Sequence, residues 1–257
     1  MPKSSDYELV TLPSGKEVAQ EGAKRFTELA NTAIAQSGRF TVALSGGTTP
    51  RDLFQILSAP PFRDTIDWSK VYIFFGDERC VPPDDPDSNY RMASETLLSQ
   101  VSIPTENVFR MRGEDPPNQA AAEYATQLQD FFKLAQAGGP SPENYPRLDL
   151  VLLGMGPDGH TASLFPGTAA LQERGKPVTA NYVPKMDANR VSLTAPAINR
   201  AANIIFLVAG ASKAQALKAV LEGDYQPHVY PSQLIRPSQG KLTFLVDQAA
   251  AAQLKKG

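Results

Sequence analysis

His160 is one of only two histidines in the chain, and it stands two residues after Asp158 in the run Gly154-Met155-Gly156-Pro157-Asp158-Gly159-His160. An imidazole exchanges protons near neutral pH, and a carboxylate beside it can orient the ring or hold its charge. His160 is therefore a candidate general base and Asp158 its partner. The apolar run at 148–153 predicts a buried strand leading into this turn. Strand ends are where open α/β sheets place their chemistry. The same stretch matches G-x-G-x-x-G (Gly154, Gly156, Gly159), the dinucleotide fingerprint. That motif needs a helix directly after the turn and an acidic residue about 20 positions further on, at the next strand end. Pro166 and Gly167 interrupt the first requirement. Glu173 lies in the polar stretch Gln172-Glu173-Arg174-Gly175-Lys176, without strand character. An acid–base turn fits better than a nucleotide cradle.

A second candidate site is Leu44-Ser45-Gly46-Gly47-Thr48-Thr49-Pro50. Two glycines between a strand and a helix let backbone amides converge, and the helix start adds unpaired N–H groups and a partial positive charge. Ser45, Gly46, Gly47 and Thr48 thus form a cradle for a phosphate monoester. The loop lacks the Gly-Lys-Ser/Thr ending of a nucleoside-triphosphate loop. Lys213 follows another predicted strand and is expected at the same sheet edge. Asp77, Glu78 and Arg79 come directly after the apolar run Val71-Tyr72-Ile73-Phe74-Phe75. Carboxylates there can position water or bind sugar hydroxyls, and the guanidinium can stabilise developing negative charge. The alternative is an ion pair that seals the strand end. Cys80 reads as a small apolar filler. Two histidines without a companion ligand spacing argue against a metal site, and there is no G-x-S-x-G elbow.

The elements that must position these groups alternate from end to end. Apolar runs predict strands over 7–12, 40–44, 70–76, 148–153, 203–209 and 242–246, with 190–193 a further candidate. Helical spacing predicts helices over 16–36, 50–58 (Pro50 in the first turn, Thr49 as cap), 88–100, 117–137 and 212–221, and an alanine-rich helix follows the last strand. Strands apolar on both faces, alternating with helices, imply an α/β three-layer, doubly wound, mostly parallel sheet. The Gly-Pro-rich loop at 138–142 is the best boundary, yet 1–257 is expected to be a single domain. The 257 residues are 42% apolar and 20% charged, ordinary for a globular domain with a core. A net charge of −2 offers no case for nucleic acid or an anionic membrane. A single cysteine, no apolar leader and no run of about 18 apolar residues make a cytoplasmic protein the expectation.

Taken together, residues 44–50, Gly76-Asp77-Glu78-Arg79-Cys80-Val81-Pro82, Ser88-Asn89-Tyr90, residues 154–166, Arg190-Val191-Ser192-Leu193-Thr194 and Gly210-Ala211-Ser212-Lys213 resemble the 6-phosphogluconolactonase family, in order, across about residues 15–250. The resemblance implies hydrolysis of 6-phospho-D-glucono-1,5-lactone in the oxidative pentose phosphate pathway, with no metal and no cofactor. It also implies the Rossmann-like fold shared with the glucosamine-6-phosphate deaminase group. Deaminases of that group are expected to carry a glutamate five residues after the histidine and usually lack an arginine at the place of Arg79. Here Phe165 holds the first position, and both departures favour the lactonases. A non-catalytic sugar-phosphate sensor would be expected to carry a DNA-binding module, for which this chain has no spare basic segment. The expected roles are then catalysis by His160, Asp158, Arg79 and Asp77. Phosphate is expected on Ser45, Gly46, Gly47 and Thr48, helped by Lys213 and Arg190. The expected partner is a phosphorylated sugar lactone.

Overall fold

The computed structural model of the chain describes residues 7–134 and 141–255. Among these residues the strands are β1 (Glu8–Leu12), β2 (Phe40–Leu44), β3 (Val71–Phe75), β4 (Asp77–Arg79), β5 (Leu150–Gly154), β6 (Val178–Val183), β7 (Ala188–Leu193), β8 (Asn203–Val208) and β9 (Lys241–Asp247). The helices are α1 (Gly15–Ser37), α2 (Thr48–Leu57), α3 (Phe62–Thr65), α4 (Asn89–Ala93), α5 (Pro117–Phe132), α6 (Ala195–Asn199), α7 (Ala214–Glu222) and α8 (Gln248–Ala251).

Six strands form one parallel sheet in the order β1-β9-β8-β5-β2-β3. The fold class expected from the pattern is the one observed. Successive side chains of a strand point to opposite faces. Leu150 and Leu152 of β5 accordingly join Phe26 of α1 and Leu53 of α2 in one core. Val151 and Leu153 join Tyr124 of α5 and Leu217 of α7 in the other. Strands buried on both faces have no polar side to show, which is why they read as unbroken apolar runs.

The chain winds outward in both directions from the β2–β5 pair, so the topological switch point lies there. A clamp sets its register. Thr41 donates from its backbone N and its Oγ1 to Asp149 Oδ2 at 2.8 and 2.7 Å, and the Asp149 amide donates to the Thr41 carbonyl at 3.0 Å. The ladder pairs Val42 with Leu150 and Ala43 with Val151. Beyond it Leu44 pairs with Phe75 and Gly154 with Leu207, so the two strands part before their carboxyl ends and leave a cleft.

The three-stranded antiparallel sheet β4-β7-β6 is a departure from the expected pattern. Residues 77–79 read as a charged loop and 178–183 as no element at all, yet both are strands. Cross-strand partners share a face. Arg79, Arg190 and Asn181 form one row, and Asp77, Ser192 and Thr179 another on the same side. Glu78, Val191, Ala180, Leu193 and Val178 occupy the opposite side, where β6 and β7 pack on α5. The small sheet is thus polar on one face and mostly apolar on the other.

Smaller differences concern helix ends. α2 starts at Thr48 with Gly47 as its cap, not at Pro50 with Thr49, because the Gly47 carbonyl already accepts the Arg51 amide at 3.1 Å. Ser88 caps α4, accepting from the Arg91 amide at 3.1 Å, but the helix passes into a π-turn over Ser94–Leu98. α5 stops at Phe132 because Lys133 adopts φ 52°. Residues 138–140 of the expected loop lie outside the described residues. Lys213 closes a 3-10 turn that precedes α7. No helix among the described residues is long and apolar enough to cross a membrane.

One interior bond fixes the end of β3. The Tyr124 hydroxyl, buried in the α5-side core, accepts the Phe75 amide at 2.8 Å, and burial pushes its phenol well above the ordinary value. Tyr124→Phe should leave that amide unpaired and lower the unfolding free energy by about 1–3 kcal/mol in urea titrations, with catalytic turnover of the folded protein retained.

Candidate active site

The sheet delivers its functional groups from four neighbouring strand ends. Ser45 follows β2, Asp77 follows β3 across Gly76, the glycine turn follows β5, and Lys213 lies shortly after β8. With Arg79 and Arg190 from the small sheet, they line one cavity of about 360 Å³ that also contains Gly46, Gly47, Thr48 and His160. Asp158 stands behind His160 rather than in the cavity wall. The residues expected to act on substrate are therefore at or directly behind one cavity, whereas Glu78, expected beside Asp77, is not in its wall.

The loop Gly46-Gly47-Thr48 opens α2. Gly47 has φ 106°, a conformation that side chains rarely adopt, and it turns the chain into the helix. The first amides of a helix have no intrahelical acceptors. Here the residues that carry them line the cavity together with Ser45, and Pro50 supplies a first-turn residue with no N–H to satisfy. Asn89 packs against Gly46 and donates from Nδ2 to the Asp77 carbonyl at 2.9 Å.

The turn after β5 closes on itself. The Gly156 amide donates to the His160 carbonyl at 2.9 Å, and the Gly159 amide to the Gly156 carbonyl at 3.0 Å. The imidazole folds back over Gly156, where a Cβ would lie 2.1 Å from its Nδ1. A glycine is required there for packing. No helix follows the turn, so the fingerprint lacks the structure that a dinucleotide would need. His160 Nδ1 lies 2.5 Å from Asp158 Oδ1, and Lys185 reaches Asp158 Oδ2 at 3.4 Å. The ring nitrogen bonded to Asp158 holds its carboxyl well below the usual carboxylate range, against the opposing effect of burial. With Nδ1 donating to Asp158, Nε2 is the nitrogen left to accept a proton. The imidazole stacks on Phe165, with centroids 4.0 Å apart and planes at 21°.

The two adjacent carboxylates part ways. Asp77 faces the cavity and accepts from Ser163 Oγ at 2.7 Å. Glu78 turns to the other side of β4, where its carboxylate accepts the amides of Arg79, Asn89 and Tyr90 at 2.8, 2.8 and 2.9 Å, and Ser88 Oγ at 3.1 Å. Burial pushes the Glu78 carboxyl up despite these donors. Glu78 holds the start of α4; it does not face substrate. Arg79 donates from Nη1 to the Asp87 carbonyl. Arg190 is 8% exposed and makes no ion pair among the described residues. Burial, then the neighbouring Arg79, push its guanidinium below the ordinary value. Burial does the same to the Lys213 ammonium, partly offset by Asp158. Two adjoining guanidiniums and a half-buried ammonium at one cavity form a site prepared for an anion. Burial raises the Cys80 thiol, which fits a filler rather than a nucleophile. No trio of His, Cys, Asp or Glu among the described residues is placed to hold a metal ion.

Asn89 and Ser163 lie within the motifs but, like Asn181, carry no sign in the sequence of a role at the site. The alternation Val178-Thr179-Ala180-Asn181-Tyr182-Val183 was the one signal for β6.

The family model described as glucosamine-6-phosphate isomerases/6-phosphogluconolactonase matches residues 13–244. A 6-phosphogluconolactonase from Nostoc sp. is 47% identical over 226 residues, covering 87% of this chain and 88% of that relative. One from Synechocystis sp. is 44% identical over 224 residues, with the same coverage of both chains. The solved structure of 6-phosphogluconolactonase from Trypanosoma cruzi superposes with a TM-score of 0.86 at 29% identity, covering 99% of each chain.

Two measurements test this electrostatic arrangement. A carboxylate with a depressed pKa contributes stability that is present above its unfolded value, about 3.9, and lost as pH falls through the folded value. Wild type should therefore exceed Asp158→Asn in Tm from pH 7 down to about 4, and the excess should shrink progressively as pH falls further below about 4. Arg190→Met, which keeps the buried stem and removes the unpaired charge, should raise Tm by about 2–4 °C. It should also weaken the further rise in Tm that inorganic phosphate gives the wild type.

Proposed function

The chain belongs to the family of glucosamine-6-phosphate isomerases and 6-phosphogluconolactonases, and within it we propose that this cavity hydrolyses 6-phospho-D-glucono-1,5-lactone to 6-phospho-D-gluconate, the lactonase step of the oxidative pentose phosphate pathway. The observation that carries the reading is a base and an anion site in one cavity. His160, bonded to Asp158 at 2.5 Å, shares its wall with the first residues of α2, Arg190 and Lys213.

The 6-phosphate binds the amides of Gly46, Gly47 and Thr48 and the Ser45 hydroxyl, with Arg190 and Lys213 neutralising its charge. Remote binding energy then orients the lactone at the other end of the cavity. His160 Nε2 takes a proton from a water as its oxygen bonds to C1. Asp158 holds the ring tautomer and stabilises the imidazolium. The carbonyl π electrons move onto oxygen. The Gly156 and Gly159 amides are already engaged within the turn, so Arg79 is the assigned oxyanion donor, a role worth on the order of 10²–10³ in rate. Collapse of the tetrahedral intermediate breaks the bond from C1 to the ring oxygen. His160 returns its proton to that oxygen, which leaves as the C5 hydroxyl. Asp77, held by Ser163 and Asn89, orients sugar hydroxyls. Phe165 stands where a deaminase is expected to carry its glutamate, so the cavity favours ester cleavage. The reading places the protein in the cytoplasm, where the single Cys80 needs no partner.

Lactone produced in situ by glucose-6-phosphate dehydrogenase should disappear faster with this protein than without it. His160→Ala should lower kcat by about 10²–10⁴ with little change in KM. A decay rate indifferent to the protein would overturn the reading. Ammonia release from glucosamine 6-phosphate would replace it with the deaminase reading.

A further inference from the structure

The bond from Asp158 fixes one atom of the His160 ring but leaves the ring free to tilt about that bond. The stack on Phe165 removes the tilt. Phe165 itself lies in a stretch with little regular structure, where the single Thr161–Leu164 bridge is the only ladder contact among the described residues. What holds it is a chain of buried polar groups. The Phe165 carbonyl accepts Thr168 Oγ1 at 2.8 Å and the Thr168 amide at 3.2 Å. Thr168 Oγ1 accepts in turn from Asn181 Nδ2 at 3.0 Å, and the same amide group donates to the Ser163 carbonyl at 2.9 Å. One amide therefore grips the chain on both sides of Phe165. Asn181 is 3% exposed, and in β6 it stands in the row of Arg190 and Arg79. The small sheet that carries Arg79 and Arg190 thus also steadies the base, through its strand β6.

We propose that Asn181 is a positioning residue: by bracketing Phe165 through Ser163 and Thr168, it fixes the plane of the His160 imidazole and so the aim of Nε2. The consequence for turnover rests on the lactonase reading, whereas the consequence for the ring does not. An amide suits the task because its two hydrogens meet two acceptors at once. A carboxylate would set negative charge against the Ser163 carbonyl, and an apolar side chain would leave both acceptors without this donor.

The test uses the full chain carrying Asn181→Leu. At a temperature where circular dichroism shows it folded, kcat should fall about 10- to 100-fold, as expected for a base displaced by a fraction of an ångström. KM for the lactone and protection by inorganic phosphate should stay near wild type. Phe165→Leu should lose a similar factor, and the double variant should be no worse than the poorer single one, because both act through one contact. Thr168→Val should show the same loss and Thr168→Ser should recover most of it; this pair carries the test if Asn181→Leu fails to fold. Two histidines give a proton spectrum with two imidazole spin systems. The His160 signals, shifted by the Phe165 ring current, should move toward those of exposed His228 in Asn181→Leu. Unchanged His160 signals with unchanged kcat, or strictly additive losses, would overturn the proposal. A wild-type protein without lactonase activity would instead overturn the functional reading, and the spectrum would still decide the role of Asn181.

Discussion

The site depends on one pairing, the parallel contact of β2 with β5. Two register pairs and the clamp between Thr41 and Asp149 place the phosphate loop and the catalytic turn side by side. Had the strands continued to pair to their ends, the ladder would have filled the space between Ser45 and Gly154. Their early parting produces the cleft, and the helices on both faces prevent the sheet from relaxing into it. The distance between anchor and base is thus set by the most buried part of the molecule rather than by loops.

Around that cleft the protein holds charges that it does not neutralise itself. Arg79 and Arg190 sit across from each other in a strand pair, although like charges opposite one another oppose folding. Arg190 makes no ion pair among the described residues, and Lys213 is half buried. In contrast, Glu78 is surrounded by donors and holds backbone. The arrangement is stable in total because these unfavourable groups are few and hang from a core of two large apolar layers. An anion in the cavity supplies what the folded chain withholds, so binding energy is concentrated at this point.

The residues were legible in proportion to how local their physics is. The sheet strands declared themselves because double-sided burial leaves β2, β5 and β8 without a polar face. The phosphate loop and the turn of His160 were visible because each is a short run whose glycines and hydroxyls act within a few residues. The small sheet was not visible. Its strands are short, one begins inside a charged triplet, and the polar Asn181 that makes 178–183 look like loop is needed for its bonds to Ser163 and Thr168. The division of labour between Asp77 and Glu78 was likewise hidden, since neighbouring carboxylates in a strand differ only in which side they face. Asn181 could not be connected with Phe165, 16 positions earlier, without knowing that β6 passes behind the turn.

The hairpin of β6 and β7 turns through Pro184, Lys185, Met186 and Asp187, with Asp187 at φ 45°. In a strand, a shift of one residue exchanges faces. A single insertion or deletion in β6 or β7 would therefore swing Arg190 and Asn181 toward α5 and turn Val191 and Ala180 toward the cavity. It would remove the anion site and the support of the base together, while leaving the parallel sheet untouched. The hairpin is thus constrained in length as well as in composition. Drift in this part of the molecule can proceed by substitution on the α5 side, but hardly by gain or loss of a residue.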